Sequence, residues 1–270
     1  FLERGRMVGS GLWVGCRVRR PTLAAVVTAS AVLFAGLGTA SLTQEAAGAT
    51  EPLGTALVGD NPGDEFGSAI ALSEDGTRVV IGIPGDDDGG VDAGKVQIFD
   101  WDGSSWSQTG SDLSLGNADD RFGYAVDITR DGTAVIVGAP GVSGGLDGSV
   151  AVYRIDGSTW TQVGSTIDGI WEFGSKVAIS DDGHRIAASN LDDEVDAFRW
   201  TDGSWTQLDT TISAGAHGEI SLSANGHILA VGDPNWNQDG LVKLYEWQGL
   251  TWQHVETFNG GPGFGSSVAL

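Results

Sequence analysis

Phe66-Gly67-Ser68-Ala69-Ile70-Ala71-Leu72-Ser73 returns in register as Phe122-Gly123-Tyr124-Ala125-Val126-Asp127-Ile128-Thr129, and again as Phe173-Gly174-Ser175-Lys176-Val177-Ala178-Ile179-Ser180. A weaker copy opens at His217-Gly218 and a last one at Phe264-Gly265. The anchors are 56, 51, 44 and 47 residues apart, and the offsets inside each unit are tighter still. Gly76, Gly132 and Gly183 fall ten residues after their anchors, and Gly226 falls nine after His217. Pro84 and Pro140 follow their anchors by eighteen residues and Pro234 by seventeen. Recurrence of this kind marks structural repeats.

Each unit reads as four short strands. The first alternates after its anchor. Asp75-Gly76, Asp131-Gly132, Asp182-Gly183 and Asn225-Gly226 then supply hairpin turns, because both residue types tolerate a left-handed backbone. The second strand is apolar on both faces, as in Val79-Val80-Ile81-Gly82-Ile83 and Ala134-Val135-Ile136-Val137, which requires cover on both sides. A Gly-rich loop leads to a third, alternating strand (Val96-x-Ile98, Val150-x-Val152). A second turn then leads to a fourth strand opening with Trp106, Trp160, Trp205 or Trp252. No segment has helical periodicity.

A single sheet cannot bury both of its own faces, so neighbouring copies must do it. The expectation is an all-β chain: a β-propeller of four-stranded antiparallel blades, about four of them, forming an incomplete propeller or open arc. The repeats occupy residues 50–270, with blades at about 66–116, 122–167, 173–213 and 217–259 and a partial blade from 264. Residues 53–58 stand where an outer strand precedes the later anchors. A β-sandwich has no reason to keep a fifty-residue period.

Composition narrows the function. The 270 residues hold 36 acidic and 14 basic side chains, a formal net charge of −22, which disfavours nucleic acid and anionic lipid as partners. Five of the basic residues precede an uncharged run from Leu23 to Leu37, and Ala47-Gly48-Ala49 follows as an Ala-x-Ala exit. Residues 1–49 therefore read as a signal peptide or N-terminal leader, with an uncleaved anchor as the competing reading. The one cysteine, Cys16, lies inside that leader, so the expected mature domain is exported and free of disulfides.

The repeated Phe-Gly, with Gly82-Ile83-Pro84 and Gly138-Ala139-Pro140, resembles the FG-GAP repeat family, the unit of the integrin alpha-chain propeller. The third unit departs from it at Ala188-Ser189-Asn190 and the fourth at His217. The resemblance implies extracellular or surface proteins that bind other molecules, many holding calcium in the first hairpin through Asp-x-Asp/Asn-x-Asp-Gly. Here those positions read Ala71-Ser73-Asp75, Asp127-Thr129-Asp131 and Ala178-Ser180-Asp182. Calcium favours six to eight oxygens with several carboxylates. The candidate metal ligands are accordingly Asp127 and Asp131 in the second unit, and Asp86, Asp88 and Asp92 in the acidic loop after Pro84.

Other chemistry is sparse. Gly141-Val142-Ser143-Gly144-Gly145 matches a hydrolase nucleophile pattern but lies in a loop with no helix after it. The recurring Trp read as inter-blade packing. Trp171 and Trp236 do not recur and are the candidate ligand contacts, because binding residues concentrate on loops of a rigid scaffold. The sequence points to a secreted or cell-surface, non-catalytic binding or adhesion module that contacts a protein or polysaccharide through its loops. The alternative is a propeller-type glycosidase or lyase whose active site lies in blades outside this stretch.

Overall fold

A computed structural model describes residues 54–270 apart from 142–146, 193, 216, 217, 236 and 238. The leader, Cys16, Ser143, His217 and Trp236 lie outside the described residues. Among the described residues there is no α-helix, and no helix long and apolar enough to cross a membrane.

Four antiparallel sheets follow one another along the chain. Blade one comprises β1 (Ala69–Leu72), β2 (Arg78–Ile83), β3 (Lys95–Trp101) and β4 (Trp106–Gln108). Blade two comprises β5 (Ala125–Ile128), β6 (Ala134–Ala139), β7 (Asp147–Asp156), β8 (Thr159–Gln162) and β9 (Ile167–Ile170). Blade three comprises β10 (Lys176–Ile179), β11 (Arg185–Ser189), β12 (Glu194–Thr201), β13 (Ser204–Gln207) and β14 (Ile212–Ser213). Blade four comprises β15 (Ile220–Leu222), β16 (Ile228–Asp233), β17 (Leu241–Trp247) and β18 (Trp252–Asn259). Among the described residues no strand of the first sheet pairs with the last, so shared strands do not close a ring.

The doubly apolar second strand behaves as its composition requires. In blade two, Val135 and Val137 join Val80, Val96 and Ile98 of blade one in one core. Ala134 and Ile136, one residue out of phase, join Ile186, Ala188 and Phe198 of blade three in the next. The third seam packs Ala187, Val195 and Ala197 against Leu229, Val231 and Tyr245. Burying each large aliphatic side chain contributes roughly 1.5–3 kcal/mol relative to exposure, so the sheets stabilise one another. The Trp at the head of the outer strand belongs to these seams: Trp160 sits in the core shared with blade one, and Trp205 Nε1 donates to the Val163 carbonyl at 2.9 Å.

Seams are also joined through the backbone. The anchor glycine of one blade sets its carbonyl against the second-strand glycine of the blade before. A Cβ on Gly82 would lie 1.9 Å from the Gly123 oxygen, and one on Gly232 would lie 1.9 Å from the Gly265 oxygen. At the third seam the second-strand position is Ser189, and Gly218 lacks the left-handed φ of Gly67, Gly123, Gly174 and Gly265. Both halves of that contact changed together. At the opposite end of the second strand, Arg78 reaches the Gly132 carbonyl at 2.7 Å, and Arg185 reaches that of Gly226 at 3.4 Å.

Two expectations are corrected. The outer strand is not one element in blades two and three. Gly164 (φ 77°) and Asp209 (φ 66°) turn left-handed and split it, so that β8 and β9 both pair with β7, and β13 and β14 both pair with β12. Residues 54–58, expected to form an outer strand, pair with no strand; Leu57 instead packs on Val79, Ile81 and Ile83.

Candidate functional site

The acidic loop after Pro84 is organised around a cation of the protein's own. Lys95, the first residue of β3, is 6% exposed, and its Nζ lies 2.7 Å from Asp86 and 2.9 Å from Asp88. Burial works to lower the pKa of this ammonium, but the hydrogen bonds to Asp86 and Asp88 outweigh it and hold the group above its ordinary value. Asp92 is placed elsewhere: its backbone is left-handed, its N–H donates to Asp87 Oδ1 at 2.9 Å, and its carbonyl accepts from Arg121 N.

Asp127 and Asp131 are near in sequence but serve different places. The Asp127 carboxylate faces the seam with blade three, where it accepts from Ile128 N at 2.9 Å and Ile179 N at 2.8 Å. Burial pushes it up to about 6, against the pull of those two backbone N–H groups, and Asp181 and Glu219 add to the rise. Asp131 stays in the hairpin turn, where its Oδ1 accepts from Thr129 Oγ1, Thr133 N and Thr133 Oγ1.

That turn has the same wiring in every blade. Ser73, Thr129, Ser180 and Ser223 donate to Oδ1 of Asp75, Asp131, Asp182 and Asn225 at 2.7, 2.8, 2.7 and 3.0 Å. Each hydroxyl oxygen in turn accepts a backbone N–H from across the hairpin, from Arg78, Ala134, Arg185 and Ile228, at 2.9–3.0 Å. These residues do not fit calcium. One turn carboxylate in each of the first three blades and none in the fourth, each already engaged by hydroxyl and amide donors, is far from a donor set of six to eight oxygens. Among the described residues no three His, Cys, Asp or Glu side chains are grouped to hold a metal ion.

Among the described residues one feature with room for a ligand is a cleft of 770 Å³ formed by blade two and the connection that leads into it. Leu115, Asn117 and Asp120 line it from the connection into blade two, and Asp147, Ser149, Thr166 and Asp168 from β7, β9 and the turn before β9. The β7–β9 pairing makes this wall: Ser149 stands opposite Asp168, and Asp147 opposite Ile170. Asn117 Nδ2 donates to Asp120 Oδ2 at 2.9 Å, which fixes one carboxylate at the lip. Sequence reading did not find these residues, since the split of the outer strand that creates β9 carries no motif of its own.

Trp171 follows Ile170 directly, at the end of that wall. It is 43% exposed, and its carbonyl accepts from Leu191 N at 2.8 Å. Ile170 and Leu191 are also exposed, at 55% and 57%. Trp171 and Glu172 hold φ values of 59° and 56°. The residue before the anchor is left-handed at Glu65 and Arg121 as well, so this bend belongs to the repeat and brings Phe173 into the core. Among the described residues the histidines form no cluster: His184 contacts its own turn at Asp182, and His254 contacts Thr257.

Residues 58–99 match the FG-GAP repeat family. No curated protein matches the chain. Among solved structures it is similar to a candidate 6-phosphogluconolactonase from Bacteroides uniformis ATCC 8492, with 16% identity and a TM-score of 0.53 over 73% of this chain and 55% of that one. It is also similar to a functionally unknown protein from Desulfotomaculum acetoxidans DSM 771, with 15% identity and a TM-score of 0.52 over 74% and 60%. The chain thus spans less than two thirds of either structure. At these identities the likeness concerns the fold, which is an all-β propeller architecture.

Proposed function

We propose that this chain is an exported, non-catalytic binding module that holds a protein or polysaccharide ligand at the cleft formed by blade two and the connection leading into it. The observation that carries the reading is the cleft itself, with its polar wall of Asn117, Asp120, Asp147, Ser149, Thr166 and Asp168, and the exposed Trp171 next in the chain to its lining residue Ile170. Ligand sites combine a concave surface with a few convergent polar groups, and an exposed aromatic on a rigid frame supplies contact area at low entropic cost. The non-catalytic part rests on the first strands, which lie next to one another from blade to blade. They carry Ala69, Ala71, Ala125, Ala178 and Ser221, and their charged side chains are engaged in the fold, Asp127 by Ile128 N and Ile179 N and Lys176 by Glu219. The leader-like residues 1–49 support export.

The test is a binding screen of the full chain, immobilised, against defined soluble polysaccharides and purified extracellular proteins by interferometry. Trp171→Ala and Asp168→Asn should each weaken the retained ligand about tenfold without lowering the unfolding midpoint. Binding indifferent to both substitutions, or turnover of a polysaccharide, would overturn the reading.

A further inference from the structure

We infer that each blade closes its first hairpin with a metal-free hydroxyl lock, and that the fold therefore needs no divalent cation. The inference stands apart from the binding reading above. Its ground is that one four-part arrangement occurs in all four blades. A hydroxyl at Ser73, Thr129, Ser180 or Ser223 gives its proton to the turn's side-chain oxygen and takes a backbone N–H from the opposite strand. The same side-chain oxygen also takes the N–H two residues on, from Thr77, Thr133, His184 or His227, at 2.9–3.0 Å. A cation bridging turn and strand would occupy the place that the hydroxyl proton now fills.

Blade four separates this lock from a weak metal loop. There Asn225 replaces the aspartate and keeps both hydrogen bonds, at 3.0 Å each. A metal loop that loses its carboxylate loses its charge, whereas an amide oxygen accepts N–H and O–H donors as a carboxylate oxygen does. The hydroxyls are also placed as structural groups are. Thr129 and Ser180 are 1% and 0% exposed; the Thr129 oxygen accepts from Thr133 N and Ala134 N, and the Ser180 oxygen from Arg185 N. The outer carboxylate position of the loop has been given other work. Asp127 receives Ile179 N of the next blade, and Ser221, at the same place in blade four, receives Leu270 N at 3.1 Å. In the acidic loop after Pro84, Lys95 is the charge that Asp86 and Asp88 enclose.

The experiment is thermal unfolding of the full chain, followed by tryptophan fluorescence, in EDTA, in calcium and in magnesium at matched ionic strength. The expected result is one midpoint in all three, because screening acts alike on both ions, whereas a specific site saturated about a hundredfold over its Kd would raise the midpoint by several degrees. Ser180→Ala should lower the midpoint by several degrees, equally in EDTA and in calcium, and Thr129→Val should do the same or prevent folding. Thr129→Ser, which keeps the hydroxyl, should restore the parent value. A midpoint that falls in EDTA and recovers only with calcium would overturn the inference. So would a Ser180→Ala chain as stable as the parent.

Discussion

The carbonyl oxygen of Gly174 lies 2.0 Å from the point where a Cβ on Gly138 would stand, although the two residues belong to different blades. No side chain fits there, and the obstacle is backbone rather than a movable side chain. Gly138→Ala must therefore part the second and third blades. We expect a loss of about 3 kcal/mol or more, read as an earlier midpoint in urea with the slope unchanged. Gly261→Ala, at a glycine with nothing within 4 Å and an ordinary φ, is the control and should unfold with the parent.

Asp127 makes that same seam pH-sensitive. Its carboxyl titrates near 6 in the fold against an ordinary 3.8, so the folded state holds the proton more tightly than the unfolded chain. Its contribution favours the fold fully below about pH 4 and is lost as the pH rises through about 6, a span on the order of 3 kcal/mol. Cations also stand beside the two acids that add to the rise, Lys176 at 2.9 Å from Glu219 and Arg130 at 3.8 Å from Asp181. Asp127→Ser, which copies the residue that blade four carries at Ser221, should gain stability relative to the parent between pH 4 and 6. Equal pH dependence in the two chains would count against this account.

Arg78 braces blade one through Asp100 and reaches blade two through two further contacts. Its Nε and Nη2 fork onto Asp100 at 2.6 and 2.8 Å, Nη1 reaches the Gly132 carbonyl, and the guanidinium lies 5.4 Å from the Trp160 ring centre. The hydrogen bonds from Arg78 hold the Asp100 carboxyl below its usual value. Arg78→Ala should cost about 2 kcal/mol. Arg78→Lys should recover less than half of it, because an ammonium cannot fork onto a carboxylate and a carbonyl at once. Chemical denaturation of both variants checks the order.

Lys95 and Asp86 form the buried ion pair of the first loop, with side chains 7% and 3% exposed. Lys95→Met leaves a buried carboxylate without its partner and should destabilise by about 3–5 kcal/mol, with little relief in 0.5 M salt, since buried pairs are weakly screened. The exposed pair of Arg130 with Glu74 is the contrast. Glu74→Gln should leave the midpoint unchanged at any salt concentration.

How much of this was legible in the sequence follows from which contacts are local. The Phe-Gly anchors, the Asp-Gly turns and the doubly apolar second strands set the strands, their antiparallel order and the sheet-by-sheet packing, since a turn and a period of two act within a few residues. Trp160 and Trp205 were readable as seam residues because they recur. The roles of Asp127, Lys95 and the cleft were not. Ile179 lies 52 residues beyond Asp127, and the Ser149–Asp168 wall exists only because a left-handed Gly164 breaks the outer strand. Which oxygen receives which N–H across a seam depends on how two sheets twist and settle against each other, and that is fixed by the packing of the whole array.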